Sequence, residues 1–291
     1  MNIITALILF CSTLFGATKN VLIKGLSGHS IKNREFFILQ SSSIFRAGSI
    51  VLVFVNLFTF NGISLFTLIC SLLYGIMLVA ALWCYTLALS QGKTAICATI
   101  YSFGFIVPTL SGTLFWNESI SIFGYLGIII LLPVLIISGT SPKKQEEKQT
   151  SKYFVIPLII ALLASGGLGV MQKIHQSSEY ANQLNSFILL SFLFAFTVSV
   201  ILSLTLKKGE KQVQRKTETF ALIVGVIFSL CNIMNTYLAG TLDSAVLFPI
   251  LNVGSIILSL ILSIIIYKEI VDKRDVIILT LGVLAIILVN F

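Results

Sequence analysis

The sequence predicts an all-α integral membrane protein of ten transmembrane helices, arranged as two inverted five-helix repeats, and three observations carry that prediction. The composition is 57% hydrophobic and only 10% charged, with a mean hydropathy of +1.03, too apolar for a domain that must clothe its surface in charge. The apolar residues gather in ten runs, nearly all reaching the about 20 residues a helix needs to cross hydrocarbon, and they lack the alternation of a barrel strand. Glu118 and Glu269 stand 151 residues apart, each closing such a run, and small residues match at the same offset: Gly104 with Ser255, Pro108 with Ser259, Gly112 with Ser263. A period that holds several membrane-length segments is a duplicated membrane domain, not a solenoid repeat.

The helices of the first repeat (1–140) are predicted over 3–24, 36–58, 63–90, 94–116 and 120–140; those of the second (153–291) over 153–174, 184–206, 219–241, 244–267 and 275–291. Helix 1 lacks the basic start of a secretory signal, and Lys19-Asn20-Val21-Leu22-Ile23-Lys24 offers no small-residue cleavage site, so it reads as a retained helix. Helix 6 carries Gly166, Gly167 and Gly169, which permit bending or close contact; a phosphate loop would need a strand before it. Most connections are short. The polar exceptions are 25–35, 207–218 and the segment 141–152, whose Pro142 and mixed charges suit a solvated tether between the halves.

Net charge is +8, but its distribution argues against nucleic acid. The loops after helices 1, 3, 5, 7 and 9 hold 2, 1, 4, 5 and 3 Lys/Arg, and Lys24 makes 16; the opposite side has only Lys173. The positive-inside rule then places the odd-numbered loops in the cytoplasm and both termini outside. The lysines of 207–216 are positioned to meet anionic lipid or simply to set topology. The five cysteines, Cys11, Cys70, Cys84, Cys97 and Cys231, fall inside predicted helices, where packing is expected rather than disulfides or a metal knuckle. No cofactor or metal is expected.

Five plus five helices, a lysine ending helix 1, an arginine in helix 2, and a fourth helix running from Thr94-Ala95 through Pro108 to Glu118 and then Gly127 resemble the drug/metabolite transporter superfamily, in its ten-helix EamA-like form. The second half repeats the pattern from Ala245 to Glu269 and Gly282, with Ser259 where many relatives have proline, so helix 9 is expected to kink less there. The resemblance implies inverted halves around a substrate cavity at their interface. It also implies cytoplasmic termini in many members, the reverse of the charge count.

The acidic residues all lie in loops or at helix ends. Small multidrug resistance proteins, similar to one half of this fold, use a buried helix-1 glutamate for cation–proton exchange; here helix 1 offers Ser12, Thr13, Thr18, Lys19 and Asn20. Glu118 and Glu269 are expected to cap the following helix or anchor it at the interface, and Lys24 and Lys173 to be interfacial anchors. Lys19 and Arg46 lie deeper. Either they face an aqueous cavity and neutralise a substrate carboxylate or phosphate, or they snorkel and bond to carbonyls. The resemblance favours the structural role for Arg46.

Further candidates to line a substrate site are Tyr74, Trp83 and Tyr85 on helix 3, Tyr101 on helix 4, Asn232, Asn235 and Tyr237 on helix 8, and Asn252 on helix 9. Each could equally be interhelical glue. An intramembrane enzyme would need a buried nucleophile–base pair or carboxylate dyad, and His29 and His175 both sit at segment ends. The expectation is therefore a secondary transporter in the cell membrane. It exports a small amphipathic or zwitterionic metabolite, such as an amino acid, by alternating access. The alternative is efflux of cationic drugs. Coupling to protons is open, as is the choice between monomer and homodimer.

Overall fold

The structure is a computed structural model, and it describes residues 2–30, 34–91, 100–139, 155–204, 215–267 and 273–289. Among these, ten α-helices of ten residues or more occur and no strand: α1 (Ile3–Ser30), α2 (Arg34–Thr59), α3 (Leu65–Gln91), α4 (Ile106–Phe115), α5 (Ile122–Gly139), α6 (Val155–Gln176), α7 (Leu184–Leu204), α8 (Arg215–Ala239), α9 (Ser244–Tyr267) and α10 (Lys273–Val289). Seven of them, α1 to α3 and α6 to α9, are long and apolar enough to cross a membrane, and α4, α5 and α10 hold shorter apolar stretches. The segment 141–152, Glu269 and Cys97 lie outside the described residues, as do the side chains of Lys24 and Ser263.

Local chemistry fixes several helix ends. Ser64 caps α3, accepting the Thr67 N–H at 3.1 Å on its hydroxyl, and Ser121 caps α5 through the Gly124 N–H at 2.9 Å. Before α4 the chain tightens into a 3-10 turn at Phe103–Phe105. Pro108 accounts for this: its ring excludes the carbonyl four residues back, that of Gly104. Helix α1 runs to Ser30, past the predicted end, because the bilayer limits the apolar run and not the helix. α9 is continuous from Ser244 to Tyr267.

Among the described residues, two large apolar cores form. One gathers Phe45, Tyr74, Leu78, Met171, Phe187 and Phe192 from α2, α3, α6 and α7; the other gathers Leu131, Leu247, Val253, Ile278 and Ala285 from α5, α9 and α10, with Leu9 of α1. Outward, α1 presents Ile3, Leu7 and Phe10, α2 presents Phe54, Leu57 and Phe58, and α6 presents Ile156, Ile160 and Leu163. Such apolar rows face lipid in a multi-pass membrane protein.

Packing crosses between the halves in matched pairs. α1 packs on α8 and α9, while α6 packs on α3 and α4; α2 meets α8 while α7 meets α3; and α2·α7, α4·α9 and α5·α10 each join helices of equal rank. The small-residue stripes serve these crossings. A Cβ on Gly166 would stand 2.6 Å from the Gly104 carbonyl oxygen, and Gly169 admits Pro108 and Phe248 at comparable distances. On the other side Ser255 donates to the Thr13 carbonyl of α1 at 3.4 Å, and Ser259, whose hydroxyl donates to the Ser255 carbonyl of its own helix at 2.5 Å, lies 3.3 Å from the Ala17 carbonyl.

Glu118 and Lys173 depart from the expected roles. Asn117 turns the chain through the left-handed region (φ 52°), so the Glu118 N–H returns to the Gly112 carbonyl at 3.2 Å. Gly112 has no Cβ to block the carboxylate that folds over it. That carboxylate accepts the backbone N–H of Ser244 at 2.7 Å and pairs with Lys173 Nζ at 2.6 Å. Glu118 thus satisfies an open donor at the start of α9, in the other half; the helix that follows it, α5, already has Ser121. Lys173 is not an interfacial anchor but half of a buried ion pair, 11% exposed against 6% for Glu118, and it also donates to the Leu242 carbonyl at 3.0 Å.

Candidate functional site

At the edge of the core that contains Tyr74, α1, α3, α6 and α8 bring together a set of neutral hydrogen-bonding side chains. Tyr74 of α3 donates its hydroxyl to Asn232 Oδ1 of α8 at 2.6 Å and accepts from Gln172 Nε2 of α6 at 2.9 Å. Gln172 also donates to Thr236 Oγ1 at 3.1 Å. One helical turn away, Ser12 of α1 donates to Asn235 Oδ1, and Cys231 stands 3.7 Å from Ser12 Oγ. Asn232, Asn235 and Thr236 share a face because α8 brings residues three and four apart together. The first half supplies Ser12 and Tyr74, and the second supplies the rest.

Lys19 lies two turns beyond Ser12 on α1, and its ammonium sits 4.8 Å from the centre of the Phe228 ring on the same face of α8. Among the described residues no carboxylate lies within ion-pair distance of it. Arg46 has gone elsewhere: its guanidinium pairs with Glu218, at the start of α8, at 2.8 Å, with the side chain 47% exposed.

The other predicted positions are not gathered here. Tyr101 stacks on Tyr85, centroids 4.3 Å apart, beside Ala88 and Leu158. Tyr237 is 41% exposed on the outside of α8, while Trp83 and Asn252 are half-buried on α3 and α9. Sequence reasoning missed Ser12, Gln172 and Thr236 as site residues. The signal available was weak: Thr236 follows Asn232 by four residues, and Gln172 adjoins Lys173 in an otherwise apolar helix.

His175 is fully buried and stacked on Phe187, centroids 4.3 Å apart. Thr67 Oγ1 spends its proton on Gln183 Oε1 at 2.7 Å, so it accepts from His175 Nε2 at 3.2 Å, while the Gln176 amide donates to Nδ1 at 3.1 Å. Both ring nitrogens are thereby committed to a neutral tautomer, assigned from its partners. Nearby, Asn61 donates to the Asn182 carbonyl at 3.0 Å and Asn185 to Thr59 at 2.9 Å. These bonds join the α2–α3 turn of one half to the α6–α7 turn of the other.

No curated protein matches the chain in sequence. A solved crystal structure shares its fold, with a TM-score of 0.76 over 99% of this chain and 96% of the other, at 14% identity. The sequence profile of the family described as "Sugar transport protein" matches residues 116–290, more than half the chain. The protein is a multi-pass membrane protein that belongs to this family of membrane transporters.

Proposed function

We propose that the protein is a secondary transporter of the ten-helix drug/metabolite type. It moves a small hydroxyl-bearing substrate of the sugar kind by alternating access between inverted halves 1–140 and 153–291. The observation that carries this reading is the polar cluster: Ser12 and Tyr74 from one half meet Gln172, Asn232, Asn235 and Thr236 from the other within apolar helices. Amides and hydroxyls both donate and accept, which is what sugar hydroxyls require. The exchange of helix partners between halves supports inverted repeats, since each crossing recurs with the halves swapped. The buried Glu118–Lys173 pair and the Asn61–Asn182 bond support a rocking mechanism, because both tie the halves together at the even-numbered loops, an end that must part in the alternate state.

A zwitterion or cationic drug fits less well. Lys19 offers a partner to a carboxylate, but Glu118, Glu179, Glu218 and Asp243 sit at helix ends, away from the cluster. Export remains the proposed direction, in the cell membrane.

Uptake by proteoliposomes of labelled D-glucose, D-glucuronate, L-alanine and tetraphenylphosphonium tests the reading. Accumulation of either sugar, cut about tenfold by Tyr74→Phe or Asn235→Leu in protein that still folds, is expected from the loss of one buried hydrogen bond to substrate. Accumulation of alanine or the phosphonium alone would refute it.

A further inference from the structure

The described candidate spans contain three lysine or arginine residues, Lys19, Arg46 and Lys173. Two of them are spoken for, Arg46 by Glu218 at 2.8 Å and Lys173 by Glu118 at 2.6 Å. Lys19 is different. Its ammonium rests on the Phe228 ring at 4.8 Å, and no described carboxylate reaches it. A ring face returns only part of what an ammonium loses on leaving water, and cations held at bilayer depth face a partner or a watered cavity.

On α1, Ser12 and Lys19 are seven residues apart and so share a face, separated by about 10 Å along the axis. On α8, Phe228, Cys231, Asn232 and Asn235 repeat the same i, i+3, i+4, i+7 spacing. Along this one interface a single positive charge is thus followed by the neutral bonding groups of Asn232, Asn235 and Tyr74.

We propose, building on the sugar-transport reading above, that the substrate is an acidic sugar whose carboxylate or phosphate pairs with Lys19 while its hydroxyls meet the neutral cluster. Lysine acts as a point charge and accepts either anion. The same arrangement disfavours a neutral hexose, which would leave the ammonium unpaired in the loaded state.

Competitive uptake into proteoliposomes of D-glucuronate, D-glucose 6-phosphate and D-glucose, together with their binding to detergent-solubilised wild type by calorimetry, tests the proposal. Wild type is expected to prefer one of the two acids over glucose by about tenfold or more, the value of a charge-assisted hydrogen bond. Lys19→Met should erase that preference through KM, and Lys19→Arg should keep part of it. The acid that wins distinguishes carboxylate from phosphate. Equal or better binding of glucose by wild type overturns the proposal while leaving sugar transport standing, and it needs no variant to fold. Retention of acid preference by Lys19→Met overturns it too. If none of the three sugars is carried or bound, the parent reading fails with it.

Discussion

Glu118→Gln is the most informative single change, because Glu118 holds together three elements from both halves. Glutamine keeps an oxygen that can accept the Ser244 N–H, so the start of α9 stays satisfied. Lys173 is left buried with only the Leu242 carbonyl, at 3.0 Å. Removing one partner of a buried ion pair costs about 3–5 kcal/mol, since the survivor is an uncompensated charge. Lys173→Met should cost less, about 2–3 kcal/mol, because the carboxylate retains the Ser244 N–H and the positive end of α9. The double variant buries no charge and should cost only about 1–2 kcal/mol, well below the sum of the singles. Unfolding free energies from sodium dodecyl sulfate titration in mixed micelles, followed by circular dichroism, give all corners of the cycle. Additivity within about 0.5 kcal/mol would show that the pair is not coupled and refute the reasoning.

Adjacent glycines of α6 should behave oppositely. Gly166→Ala drives a methyl against the Gly104 carbonyl and Val107, where the backbone cannot yield, and should cost about 1–3 kcal/mol in the same titration. Gly167→Ala meets only the Met77 thioether, at 3.0 and 3.3 Å, and should be neutral or gain up to about 1 kcal/mol from helix propensity. Orientation is read from reporters fused after Phe291: the 16 basic residues on the odd-loop side predict activity of a periplasm-dependent reporter and silence of a cytoplasm-only one.

Helices were the most legible part. Bilayer thickness imposes run length on the sequence, so the predicted segments anticipate α1 to α10 to within a few residues at most ends. Larger departures have local causes, such as polar residues that stay helical beyond the lipid at the end of α1. The stripes of Gly104 and Pro108, and of Ser255 and Ser259, were also readable as close-packing surfaces, because small residues at four-residue spacing leave backbone exposed on one face.

Charge partners were not legible. Glu118 and Lys173 lie 55 positions apart and Arg46 and Glu218 lie 172, and nothing along the chain marks either pair. An ion pair is a property of which helix ends arrive at the same level, and that depends on how the halves dock. The cluster around Tyr74 and Asn232 follows the same rule: the sequence named both residues, and only their shared junction with Gln172 and Thr236 made them one network. By itself, then, the sequence determined an apolar, multi-pass helical chain and where most of its helices run, because lipid reads hydrophobicity along one dimension. The tertiary structure decided which polar groups neutralise one another and that Lys19 meets the Phe228 ring and no described carboxylate, because that pairing is settled across helices far apart in the chain.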